Sequence, residues 1–201
     1  MSVCVYCKKR KGKRNCPALK GMICSLCCGE KRMKFIPCPE NCPVLKEHID
    51  YTKERKGEKF AIELSREFGE LEEESSKILS AIEWSLYSYL IDSPSSLDIE
   101  ILSGLEYVRR KFSPLTFLGE VKNIFGEILL KFLERGVKEG YIDGDKIPGT
   151  LDKVIKFVKN YKGENIRSNE FVKGFIGYME KYQPERVKKI KESKSTRIIE
   201  V

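Results

Sequence analysis

The sequence predicts an all-α helical domain preceded by a small Cys-rich zinc module, and three observations carry that prediction. All eight cysteines (Cys4, Cys7, Cys16, Cys24, Cys27, Cys28, Cys38 and Cys42) fall within the first 42 of 201 residues. From Val44 onward, apolar residues recur every three or four positions, as on one face of a helix, instead of alternating as in a strand. Charge divides the same way: residues 1–49 hold eleven Lys or Arg against three Glu, so the whole net +8 lies there and the other 27 bases and 27 acids cancel.

A segment of about 48 residues buries too little apolar surface to fold unaided. Residues 1–48 are therefore expected to be a stapled module, and 49–201 the helical domain. The chain opens Met-Ser-Val-Cys-Val-Tyr-Cys and shows no apolar stretch of signal-peptide length. Charges interrupt every helical segment well short of the roughly 18 apolar residues that a spanning helix needs. These features predict a cytoplasmic protein without membrane association. In a reducing compartment, grouped cysteines act as metal ligands more often than as disulfides. A single Gln (Gln183), a single His (His48) and a surface dominated by Lys and Glu lean toward a thermophile. Some hyperthermophiles keep intracellular disulfides, so that alternative stays open.

Within the module the thiols are spaced Cys4-x2-Cys7, then Cys16, then Cys24-x2-Cys27-Cys28, then Cys38-x3-Cys42. Steps of two or three residues are what a turn needs to aim two thiolates at one metal. Zinc takes four thiolates tetrahedrally, so eight cysteines fill two closed structural sites with no position left for a catalytic water. An iron–sulfur cluster is the competing reading. Cys16, Cys38 and Cys42 are each followed by proline, but the tight ferredoxin run is absent. His48, six residues past Cys42, is a spare ligand at most; eight thiolates already complete two tetrahedra.

The pattern Cys4-x2-Cys7, Cys24-Ser25-Leu26-Cys27-Cys28 and closing Cys38 and Cys42 resembles the cross-brace zinc fingers of the HIT and MYND type over about the first 45 residues. The resemblance implies that Cys4 and Cys7 share a zinc with Cys24 and either Cys27 or Cys28. Cys16, the other of Cys27 and Cys28, Cys38 and Cys42 would then hold the second. The sequence departs from those fingers where Cys16 is followed by Pro17-Ala18-Leu19 in place of a second CxxC, and where the only histidine lies past the last cysteine. The run from Cys16 to Pro43 is also similar to the opening of a prokaryotic protein group with a helical C-terminal region, a resemblance that implies no activity.

Between the first ligand pair and Cys16 runs Lys8-Lys9-Arg10-Lys11-Gly12-Lys13-Arg14, six bases in seven residues. Phosphate backbones are the natural target of such a loop, with Tyr6 and Phe35 available to stack on unpaired bases. Against this, two Zn(Cys)4 centres contribute about −4, so half of the excess charge balances thiolates. Two functions follow: nucleic-acid binding through Lys8, Lys9, Arg10, Lys11, Lys13 and Arg14, or a protein-interaction adaptor, the role that the HIT and MYND resemblance implies. No partner helix that reads bases is recognisable.

The helical domain is expected to begin with one long helix, about 44–91, with Phe60, Leu64, Phe68, Leu71, Ile78, Ile82, Leu86 and Tyr89 on one face and a weak point at Gly57. Ser95 or Ser96 caps a second helix to Lys111. Ser113-Pro114 starts a third, carrying Leu118, Val121, Phe125, Ile128, Phe132 and Leu133 to about Glu139. Gly140–Gly149 reads as a loop, and three shorter helices follow (about 150–161, 168–182 and 184–193). The helices are expected to dimerise or hold a partner. Asp143-Gly144-Asp145 resembles a calcium loop, but its twelfth position is Val154. Glu72-Glu73-Glu74 reads as solvated charge, and Trp84 as core. No nucleophile elbow, P-loop or dinucleotide fingerprint occurs, and no His or Cys lies beyond His48, so the sequence points away from an enzyme.

Overall fold

A computed structural model describes residues 2–113 and 122–199, the side chains of the last four excepted. The described residues form eight α-helices and one two-stranded sheet, the all-α architecture expected. They divide into two compact units, Met1–Thr52 and Lys53–Val201.

In the first unit, β1 (Arg14–Cys16) pairs antiparallel with β2 (Gly21–Ile23), with Arg14 opposite Ile23 and Cys16 opposite Gly21. A seven-residue helix, α1 (Ser25–Lys31), follows at once. Three turns are tightened by Lys8, Lys20 and Met33, each at a φ between 50° and 58° that non-glycine residues rarely adopt. The apolar content is slight: Ile23 and Ile36 are buried with the thiols themselves, and Ala18, Leu19 and Val44 pack against them.

α2 (Pro43–Phe68) begins in the first unit and ends in the second. The long helix expected to about residue 91 is in fact two. α2 stops at Phe68, a break at 69–72 includes Leu71, and α3 (Glu73–Asp92) resumes. Gly69 is the breaker, whereas Gly57 lies within regular helix and is buried. Gly57 is small because α7 passes over it. A Cβ there would fall inside the backbone of Gly177, and one on Gly177 would sit 2.5 Å from the Lys53 carbonyl oxygen.

The second unit continues with α4 (Asp98–Lys111), α5 (Ile124–Lys138), a 3-10 turn (Gly144–Lys146) in the expected loop, α6 (Ile147–Lys162), α7 (Glu170–Tyr182) and α8 (Pro184–Ile199). Its centre is Phe60 of α2. That ring lies 5.3–5.9 Å from the rings of Phe157, Tyr161, Phe171, Phe175 and Tyr178, in tilted or edge-on arrangements that suit the aromatic quadrupole. Ile78, Ile82 and Leu86 of α3, Ile101 and Leu105 of α4, and Leu129 and Leu133 of α5 extend the core.

Ser96 does not cap α4. It is buried and its hydroxyl meets the Tyr89 hydroxyl at 3.1 Å, while the Glu100 carboxylate accepts from the Leu97 N–H at 3.0 Å. Asp98 instead caps a distant helix. Fully buried, it accepts from Ser168 Oγ (2.6 Å) and from the backbone N–H groups of Phe171 (3.2 Å) and Val172 (3.0 Å), which open α7. Asn123 caps α5, its Oδ1 accepting from the Gly126 N–H at 2.8 Å. Ser113 forms a bend after α4, and the rest of the start expected at Ser113-Pro114, with Leu118 and Val121, falls on 114–121, outside the described residues. The α5 stripe is also rotated from expectation: Leu129 is buried, whereas Ile128 and Phe132 are 37% and 42% exposed. No described helix is long and apolar enough to cross a membrane.

Candidate metal centre

The first ligand pair sits on a tight turn. The Cys4 N–H donates to the Arg10 carbonyl (2.8 Å) and the Lys8 N–H donates to the Cys4 carbonyl (2.9 Å), while Val3 and Lys11 bridge the two flanks. The second pair opens α1. Cys24 is its N-cap, and Cys24 Sγ accepts from the Cys27 N–H at 3.4 Å. The Val5 N–H donates to the Met22 carbonyl at 2.9 Å, tying the turn to β2 immediately before Cys24.

These contacts bring Cys4, Cys7, Cys24 and Cys27 together, with all four sulfurs within 4.8 Å of one another. Among the described residues no other group of three or more His, Cys, Asp or Glu side chains converges in this way. A tetrahedral zinc with metal–sulfur bonds of about 2.3 Å spaces its sulfurs about 3.8 Å apart, so closure requires only small rotamer movements. All eight cysteines carry free thiols. The donor set contains sulfur alone, which suits zinc or another thiophilic metal and not a hard oxygen-seeking cation.

The electrostatics of the quartet fit a cation at its centre. Burial raises the Cys4 thiol, but the backbone N–H groups of Cys7, Cys24 and Tyr6 outweigh it and hold the group at about 6. The Lys9 N–H lowers Cys7 against the effect of burial. Cys27 moves the other way, pushed up to about 12 by burial and by hydrogen bonds shared with the Cys24 and Cys7 thiols. The neighbouring Cys24 thiol pushes the Arg10 guanidinium further up.

The quartet takes Cys27, leaving Cys28 with the other thiols. Cys16 ends β1, Cys28 lies on α1, and Cys38 and Cys42 flank a turn closed by the Cys42 N–H on the Pro39 carbonyl (2.9 Å). Cys16, Cys28 and Cys42 are buried and Cys38 is half-buried, but these four do not gather within 4.8 Å. His48 is exposed on α2, its carbonyl accepting from the Thr52 hydroxyl.

Lys8, Lys9, Arg10, Lys11 and Lys13 are exposed, and Arg14 is half-buried on β1. Phe35 is 69% exposed with the Lys31 ammonium 5.0 Å from its ring centre, and Tyr6 is 41% exposed. Glu72 pairs with Lys146, and Glu73 and Glu74 pair with Lys77, so this acidic run is tied up in ion pairs. The contact of Arg32 Nη2 with Cys28 Sγ at 3.9 Å went unread in the sequence, although Arg32 stands four residues beyond Cys28, one helical turn away.

No family model, no curated protein and no solved structure matches the chain. What the geometry supports is a cysteine cluster able to bind a metal ion at the head of an all-helical chain.

Proposed function

We propose that the protein is a zinc-binding nucleic-acid-binding protein whose Lys8–Arg14 loop meets phosphate. The observation that carries this is how firmly the loop is held. The Cys4–Arg10 and Lys8–Cys4 hydrogen bonds, the Gly12 N–H on the Ser2 carbonyl (3.0 Å) and the Lys13 N–H on the Ile23 carbonyl (2.9 Å) pin a run whose lysines all point to solvent. A cationic surface held by its backbone loses little entropy on meeting a polyanion. Lys8, Lys9, Arg10, Lys11 and Lys13, all exposed, supply the attraction together with Arg14.

Two structural zincs hold the scaffold. Cys4, Cys7, Cys24 and Cys27 bind one, and Cys16, Cys28, Cys38 and Cys42 bind the other, the pairing that the HIT and MYND resemblance implies once Cys27 is assigned to the first site. Elemental analysis is expected to give two zincs per chain. Affinity for single-stranded RNA and for duplex DNA, followed by fluorescence anisotropy, is expected to fall steeply with salt and to vanish when Lys8, Lys9, Lys11 and Lys13 are changed to Ser. Unchanged affinity in that variant would refute the reading.

One observation favours a second reading, an adaptor that binds a protein. The helical unit carries a groove of about 850 Å³ lined by Trp84, Phe132, Tyr141 and Ile142. Indifference to nucleic acid at physiological salt would favour it.

A further inference from the structure

Phe35 stands 69% exposed on the turn that follows α1. A single exposed ring is ordinary on a protein surface. Phe35 differs in how firmly it is displayed and in what surrounds it. The Lys31 carbonyl accepts from the N–H groups of Lys34 (3.2 Å), Phe35 (2.9 Å) and Ile36 (3.0 Å), and the Met33 N–H donates to the Ile36 carbonyl (3.0 Å). Met33 is held at a φ of 58°, in the left-handed region, and Ile36, 2% exposed, seats the turn among the buried thiols. The backbone that carries Phe35 is thus tied on both sides of it, and the ring is presented to solvent with little entropy left to lose on binding.

The setting is cationic. The Lys31 ammonium lies over the ring, 5.0 Å from its centre, and at 69% exposure the ring keeps a face for a second partner. Lys34 is exposed beside it. α1 links this turn to the metal centre: Cys24 caps one end of the helix beside the Cys4–Cys7 turn, and Lys31 closes the other. Seven residues of helix rise about 10 Å, roughly the span of three nucleotides along one strand. A polyanion with flat π faces matches an aromatic ring flanked by lysines, and a duplex hides those faces within its own stack.

We propose that the Lys31–Ile36 turn is a base-stacking platform, on which Phe35 takes an unpaired base against the ring face away from Lys31, and that the nucleic acid bound is therefore single-stranded. The proposal rests on the phosphate-binding reading above and adds the strand form and the residue that selects it.

The full-length chain tests it by fluorescence anisotropy against a short oligo(U), a short oligo(dT) and a DNA duplex of equal length. The duplex carries twice the phosphate, so charge alone favours it. Wild type is expected to prefer one or both single strands, and the comparison of oligo(U) with oligo(dT) identifies which sugar serves. Phe35→Ala is expected to weaken single-strand binding by about 5- to 100-fold while leaving duplex affinity and the salt dependence unchanged. Phe35→Tyr is expected to restore most of the loss, and Lys34→Ser to flatten the salt dependence by about one phosphate contact. Phe35→Trp, in a chain whose native tryptophan is Trp84 alone, is expected to lose emission on adding the single strand and not the duplex. Duplex binding as tight as single-strand binding, or Phe35→Ala without effect, would overturn the proposal while leaving the phosphate reading intact. Equal losses on both forms in Phe35→Ala, without rescue by Tyr, would overturn it as well. A wild type that binds none of the three at low salt would overturn that reading and the proposal together.

Discussion

The two units of this chain reach a fixed shape by opposite means. Lys53–Val201 is held by carbon: one phenylalanine, Phe60, touches five other rings, and aliphatic residues from α3, α4, α5 and α6 fill the space around them. Met1–Thr52 has two buried isoleucines and a two-stranded sheet of three residues a side, with most of its buried cluster made of cysteine. An apolar core is non-directional, so neighbouring residues compensate for one another. A thiol cluster is directional, and each ligand is needed. The lesson is that damage should be graded in the second unit and all-or-none in the first.

The largest effect should therefore come from the smallest atomic change. Cys4→Ser removes one of the four converging thiols, and a structural zinc held by them would be worth about 10–16 kcal/mol to a small domain. The variant is expected to lose a zinc by elemental analysis and the dispersed amide resonances of residues 2–52, while helical circular dichroism persists. Phe60→Ala, which deletes the centre of the aromatic cluster, should cost about 3–5 kcal/mol in denaturant unfolding of the helical unit with zinc content unchanged. Asp98→Ala orphans two buried backbone N–H groups at the start of α7 and one buried hydroxyl. Its expected cost by the same measurement is about 3 kcal/mol. Gly57→Ala is milder. The new methyl forces α2 and α7 apart at Gly177 for about 1–3 kcal/mol, and a Gly57→Ala variant as stable as wild type would show that the close helix crossing is wrong. Loss of zinc from any of the last three would break the contrast between the units.

The cysteine cluster and the helical character were legible in the sequence because they are written in residue type: grouped cysteine and excess Lys in one stretch, a three-to-four-residue apolar period in the other. Helix existence was equally plain, since Phe60, Ile78, Ile82 and Leu86 lie on faces whose period no strand could satisfy. What stayed hidden depended on contacts distant in the chain. Gly57 reads as a weak point until Gly177, 120 positions later, is seen to pass over it. Asp98 reads as an ordinary first-turn acid, although its partners lie 70–74 residues away. Ser96 has the chemistry of a cap and is used for Tyr89 instead. In the metal centre the thiols were visible as a set. Their assignment was not, because Cys27 and Cys28 are adjacent and only the direction each takes from α1 separates them.

The most direct test of the account is hydrogen exchange of the full-length chain before and after zinc is stripped by a chelator. The thiolate–metal account predicts that amides in residues 2–52 lose their protection on stripping and regain it when zinc is restored, while α3 to α7 remain protected throughout. If residues 2–52 stay protected without metal, the thiols are not what holds that unit together and the account is contradicted.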